Sequence, residues 1–169
     1  MNIDLYNNAQ IIDLQREVSG DTLKINYLDS VIQNIHILSN AICINSSYAK
    51  YKEDSKSQRI IDKMSSKKMY IDFYNGNINT INLDGMVTTE FNVIEDSLVT
   101  GINTSSGDSI NIKMKDDGIE RMQMFGGVEG IFIPERYNSK IDSTVTYSAN
   151  HIDYQINNQI SYLYDDAKI

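Results

Sequence analysis

Ile110-Asn111-Ile112-Lys113-Met114-Lys115-Asp116-Asp117-Gly118-Ile119-Glu120-Arg121-Met122-Gln123-Met124 is the stretch on which the fold turns. Ile110, Ile112 and Met114 occupy every second position with polar residues between them, the period of a strand with one apolar face. Lys115-Asp116-Asp117-Gly118 then supplies residues that tolerate positive φ or bond their own backbone, as a tight hairpin turn requires. Ile119, Met122 and Met124 form the returning strand. Ile119 is out of step with the later pair, which predicts a bulge just after the turn.

The same hairpin is written four times, at Leu23 to Ile37, Met69 to Leu83, Ile110 to Met124 and Ile152 to Tyr164. The other openings are Leu23, Ile25 and Tyr27; Met69, Ile71 and Phe73; and Ile152, Tyr154 and Ile156. Their turns read Leu28-Asp29-Ser30, Tyr74-Asn75-Gly76-Asn77 and Asn157-Asn158-Gln159. The copies start 46, 41 and 42 residues apart (69 − 23, 110 − 69, 152 − 110), a period that belongs to stacked arrays. After each return strand come small or turn-forming residues: Asn40-Ala41, Asp84-Gly85, Gly126-Gly127 and Asp166-Ala167. Ile3, Leu5, Asn8 and Ala9 match Ile35, Ile37, Asn40 and Ala41 at a constant offset of 32 (35 − 3), so the sequence opens midway through a module.

Between the hairpins, Ile42 to Met64, Val87 to Asn103 and Val128 to Tyr147 each begin with a β-like run, cross a polar stretch and return through a second run. Each module therefore reads as four strands, with Lys56 to Met64 a strand rather than a helical turn. One array over 1–169 is expected: a half-module at 1–18, modules at about 19–65, 66–106 and 107–148, and a half-module at 149–169. One proline and no long Gly/Ser tract leave no evident linker.

A net charge of −8 argues against a nucleic-acid partner, which needs a basic face. The densest basic stretch, Lys50 to Lys68, also carries Glu53, Asp54 and Asp62, and reads as a solvated loop before it reads as a headgroup site. Cys43 is the only cysteine, and His36 and His151 are isolated, so neither a disulfide nor a zinc site is expected. No secretory signal is visible after Met1, which reads as truncation more than as location, since the sequence opens mid-module. Gly126-Gly127-Val128-Glu129-Gly130 lacks the Lys-Ser/Thr of a phosphate-binding loop, and Asp116-Asp117 and Asp165-Asp166 fall where the repeat demands turns. No catalytic residue, metal or cofactor is assigned, and the chain is not read as an enzyme.

Three segments carry a family resemblance: Ser106-Gly107-Asp108-Ser109-Ile110-Asn111-Ile112, Lys115 to Met122, and Gly126-Gly127-Val128. Together they resemble the OstA-like repeat of lipopolysaccharide-transport proteins. Ser19-Gly20-Asp21-Thr22-Leu23 repeats the opening of the pattern and Tyr164 to Ile169 its close, while Ser66-Lys67-Lys68 departs from the Gly-Asp opening. Phe91 to Pro134 matches best. The resemblance implies an all-β antiparallel jellyroll of stacked V-shaped modules, open at both ends, in a periplasmic bridge reaching towards the outer membrane. Its implied cargo is lipopolysaccharide or a similar glycolipid, with acyl chains shielded in an apolar trough. Its implied partners are other Lpt-type bridge components, or a second copy through end-strand pairing.

The lipid-groove candidates are Leu23, Ile25, Tyr27, Met69, Ile71, Phe73, Ile110, Ile112, Met114, Ile152, Tyr154 and Ile156. Taken singly, each reads as ordinary core before it reads as groove, because even a trough must close somewhere. A structural β-array assembling edge to edge is the alternative function. A carbohydrate-binding array ranks last, since there is no Trp to form a platform.

Overall fold

The computed structural model describes residues 1–115, 118–137, 139–155 and 160–169. Every regular element among them is a strand: β1 (Asn2–Ile12), β2 (Arg16–Leu28), β3 (Val31–Ala49), β4 (Gln58–Tyr74), β5 (Asn77–Glu95), β6 (Leu98–Lys115), β7 (Gly118–Pro134), β8 (Val145–Gln155) and β9 (Ile160–Tyr164). They form one antiparallel sheet whose spatial order is the chain order, β1 to β9, and which does not close into a barrel. Lys56 to Met64 enters β4 at Gln58, so the strand reading of that segment holds.

Local chemistry explains the hairpins. Leu28 pairs with Val31 around Asp29 and Ser30 (φ 50° and 65°), Tyr74 with Asn77 around Asn75 and Gly76 (51° and 81°), and Glu95 with Leu98 around Asp96 and Ser97 (49° and 68°). Two central residues at positive φ give the turn whose twist matches that of the flanking strands. The expected turn residues Asp116-Asp117 and Asn157-Asn158-Gln159 lie outside the described residues. The bulge inferred from the phase slip is present beside three turns. Asn26 pairs with Asn34 but Tyr27 with Ile32, Asp72 with Thr80 but Phe73 with Ile78, and Lys113 with Arg121 but Met114 with Ile119.

The small-residue positions do something the sequence reading did not anticipate. They bend strands instead of ending them. Asn7-Asn8, Ser39-Asn40, Gly85-Met86, Gly126-Gly127 and Asp165-Asp166 are consecutive pairs at positive φ. The first four lie inside β1, β3, β5 and β7, where the register shifts against the neighbouring strands. Two left-handed residues opposite fewer partner residues turn the chain without breaking the ladder. The expected four strands per module are therefore two long bent ones, because the ladder resumes on the far side of the corner.

Each long strand thus has a hairpin half, on the side of the Leu28–Val31, Tyr74–Asn77, Lys115–Gly118 and Gln155–Ile160 pairs, and a loop half, on the side of the connections at 13–15, 50–57, 96–97 and 135–144. Buried residues from both halves belong to one cluster: Leu23, Ile37, Met69, Leu83 and Ile112 from the hairpin halves, and Cys43, Met64 and Val87 from the loop halves. At the corner the approach is tight enough to exclude a side chain on Gly20, whose Cβ would fall 2.4 Å from Ile37 Cγ2. At the rim of the loop halves the β4–β5 ladder stops at Lys63 and Glu90. The gap beyond is spanned by Asn92, whose amide N and Nδ2 donate to Asp62 Oδ1 at 2.8 and 2.9 Å. A parallel bridge between Lys50 and Leu98 covers a small second core of Ala49, Ile60 and Val99.

Candidate lipid-binding interior and surface groove

The structure gathers eleven of the twelve groove candidates into the larger of the two interior clusters. Leu23, Ile25, Met69, Ile71, Ile110, Ile112 and Ile152 are fully buried, none more than 5% exposed. Tyr27, Phe73, Met114 and Tyr154 are half-buried and pack on the cluster's edge. Ile156 lies outside the described residues. The interior is filled by the protein's own side chains, so an acyl chain entering it must displace them.

The facing wall, built by the loop halves, has different chemistry. Beside Val18, Met64, Val87 and Val128 its inward residues include small and hydroxylated ones: Ala41, Cys43, Thr89, Ser105 and Ala149 are all buried. Thr89 Oγ1 and Ser105 Oγ satisfy each other at 2.6 Å, which removes most of the cost of burying them. Tyr147 lies across Gly130, where an added Cβ would meet the ring at 2.0 Å, and its hydroxyl donates to Asn103 Oδ1 at 3.0 Å. Burial raises the Tyr147 hydroxyl above its ordinary pKa. Burial likewise pushes the Cys43 thiol up to about 11, despite the opposing charge of Arg16. The sequence reading passed over Thr89 and Ser105. Thr89 shares the phase of Val87 and Phe91, so strict alternation already marks it as inward.

On the opposite face of the loop halves lies an open groove of about 820 Å³. Ser65, Thr88, Ser106 and Ser148 contribute hydroxyls to it, with Glu90 and Glu129 beside them. Ser65 Oγ and Thr88 Oγ1 bond across strands at 2.6 Å. No periodicity in the sequence marks this groove, because short outward side chains on a twisted sheet are unremarkable one at a time.

The outer face of the hairpin halves is a polar ladder. Arg121 holds Asp153 with two bonds, Nε to Oδ1 at 2.8 Å and Nη2 to Oδ2 at 2.6 Å. That grip keeps the nearly buried Asp153 carboxyl below its ordinary pKa, outweighing desolvation. Beside it the His151 ring stacks between Phe125 and Tyr164, at centroid distances of 4.4 and 5.0 Å. Among the described residues no three His, Cys, Asp or Glu side chains converge as metal ligands. No helix among them is long and apolar enough to cross a membrane.

Comparison with known proteins finds no matching family model, no matching curated protein and no matching solved structure.

Proposed function

We propose that this protein binds the acyl chains of a glycolipid of the lipopolysaccharide type between its hairpin and loop halves and carries it without catalysis. On this reading it is one length of a V-shaped β-jellyroll bridge in the periplasm. The observation that carries the reading is the lip formed by Tyr27, Phe73, Met114 and Tyr154. Each stands one residue before the last pair of its ladder (Leu28 with Val31, Tyr74 with Asn77, Lys115 with Gly118, Gln155 with Ile160), each is half-buried, and each packs on the interior cluster. Four equivalent aromatic or thioether side chains therefore stand at the water boundary of the interior. An amphiphile entering there meets apolar contact at once, and methionine adapts to chains of variable shape. The corners of paired left-handed residues are the points at which the two halves part. Each methylene removed from water contributes about 0.8 kcal/mol, so several chains outweigh the side-chain contacts they displace.

Photo-crosslinking tests this. With p-benzoylphenylalanine in place of Phe73 or Met114, irradiation with lipopolysaccharide is expected to give adducts. Thr88, on the opposite face, is the control and is expected to give none. Equal labelling at all three positions, or none at the lip, rejects the interior site.

Strand order favours a second reading, a scaffold assembled edge to edge. Every strand pairs with its neighbours in sequence, so the sheet grows by adding strands beyond β1 or β9, from the same chain or another. Mass that rises with protein concentration, with no saturable lipid binding, would favour the scaffold.

A further inference from the structure

We infer that Asn103 is the specificity-determining residue of the lipid interior, its side-chain amide donating a hydrogen bond to the carbonyl oxygen at the head of an acyl chain. The inference rests on the acyl-binding function proposed for this interior and adds the polar group that such a chain meets there.

Asn103 stands on an inward phase between two aromatic residues. It pairs with Phe91 on β5 and with Phe132 on β7, and directly paired residues share a face of the sheet. Phe91 and Tyr147 pack on the interior cluster from the loop side, as Tyr27, Phe73, Met114 and Tyr154 do from the hairpin side. The two sides lie within electrostatic reach of each other. Burial first, and then the charge of Glu95 at the loop end of β5, raise the Tyr154 hydroxyl above its ordinary pKa. Asn103 itself is half-buried.

The strand that carries it crosses the apolar wall as a polar stripe. On the loop half of β6 the inward positions are Gly101, Asn103, Ser105 and Gly107, without one apolar side chain. Phe132 lies over Gly101, where an added Cβ would fall 2.5 Å from its ring. The hydroxyls beside Asn103 are satisfied within the protein. Thr89 and Ser105 bond each other at 2.6 Å, Ser105 reaches Met124 Sδ at 3.6 Å, and Tyr147 donates to Asn103 Oδ1 at 3.0 Å. That last bond occupies the oxygen of the amide and leaves its nitrogen, a donor only. Asn103 Nδ2 has no hydrogen-bond partner among the described residues.

A half-buried donor without an acceptor favours a ligand that brings one. An acyl ester or amide carbonyl accepts only, carries no charge, and joins directly to the hydrocarbon that Phe91 and Phe132 would contact. A free anion is disfavoured at the same place, because its charge would lie between phenylalanines on a protein of net charge −8.

Two probes that differ only in that carbonyl separate the cases: lysophosphatidylcholine carrying a dodecanoyl ester, and its dodecyl ether analogue. Binding of each is measured by calorimetry below the micelle concentration. The native protein is expected to bind the ester about two- to tenfold tighter, the worth of one neutral hydrogen bond. Asn103→Asp keeps an oxygen for Tyr147 but exchanges the donor for an acceptor, and should abolish the preference. Asn103→Leu with Tyr147→Phe removes both partners of the internal bond, so the urea midpoint should stay near native while the preference disappears. Were Asn103 needed only to satisfy Tyr147, that double variant would keep the preference. Equal binding of both probes by the native protein, or a preference that survives in either variant, overturns the inference and leaves the acyl-binding function standing. Binding of neither probe overturns both.

Discussion

Ser105 Oγ lies 3.6 Å from Met124 Sδ, although Ser105 pairs with Gly130 while Met124 pairs with Ile110, five positions further along β6. Five residues of straight strand span about 16 Å, so these side chains meet only because the sheet folds across its corner. Met124 is buried at the centre of that fold. Met124→Ala is expected to cost about 2–5 kcal/mol, from lost transfer energy and the cavity left behind. Exposed Lys24→Ala should stay within about 0.5 kcal/mol. Urea unfolding monitored by circular dichroism makes the comparison.

Met86 holds φ at 51° with its side chain largely in water, so its backbone strain is not offset by burial. The left-handed region costs an ordinary residue about 1–2 kcal/mol and Asn less. Met86→Asn should therefore raise stability by about 0.5–1 kcal/mol, read as a higher urea midpoint at unchanged slope. An unchanged or lower midpoint would show that this corner is not strained.

Gly130 and Gly127 are glycines for different reasons. At Gly130 an added Cβ meets the Tyr147 ring, whereas at Gly127 nothing lies within 4 Å and only the φ of 57° objects. Gly130→Ala should cost about 1–3 kcal/mol in the native chain, and much less in a Tyr147→Ala background where the ring is gone. Gly127→Ala should cost the same in both backgrounds. A double-mutant cycle separates the two cases.

Cys43 reports on the separation of the halves. It is buried on the inner wall with its thiol pushed up to about 11, so at pH 8 only about one thiol in a thousand is ionised. Alkylation of the folded protein should be slow at pH 8 and fast in urea. Lipopolysaccharide that parts the halves should change the rate, whereas lipid held only on the outer surface should leave it alone.

The Arg121–Asp153 pair makes stability depend on acid. Its folded carboxyl lies below the ordinary 3.8, so its contribution is complete above that value and is lost as pH falls through the lowered one. The unfolding midpoint of the native protein should therefore drop below about pH 4. Asp153→Asn should lower the midpoint at neutral pH and flatten that acid-side fall. An unchanged profile would assign the fall to other carboxylates.

Leu23, Ile25 and Ile37, Ile110 and Ile112, and Met122 and Met124 announced their strands by period alone, because alternation is set by backbone geometry that each residue carries locally. The turns at Asp29-Ser30 and Asn75-Gly76, and the bulge opposite Phe73, were legible for the same reason. Positive φ and a phase slip leave their mark within a few residues. The candidate lip was visible only as part of a longer list. Nothing local distinguishes half-buried Phe73 from buried Ile71 two residues earlier, since the difference is how far each stands from the fold's edge.

Asn40, Gly85 and Gly126 show where local reading stops. A left-handed pair marks a change of direction equally well at the end of a strand and in its middle. Whether the ladder resumes depends on the partner strand, more than a dozen residues away in sequence. The sequence alone was therefore enough for an all-β chain of repeated hairpins with one apolar phase. Tertiary structure decided that each strand continues through its corner, that Ser105 faces Met124, and that exposed Ile102 and Ile133 stand side by side on neighbouring strands. Strand period is a property of neighbours along the chain, whereas corners, walls and rims are made by strands that meet only after folding.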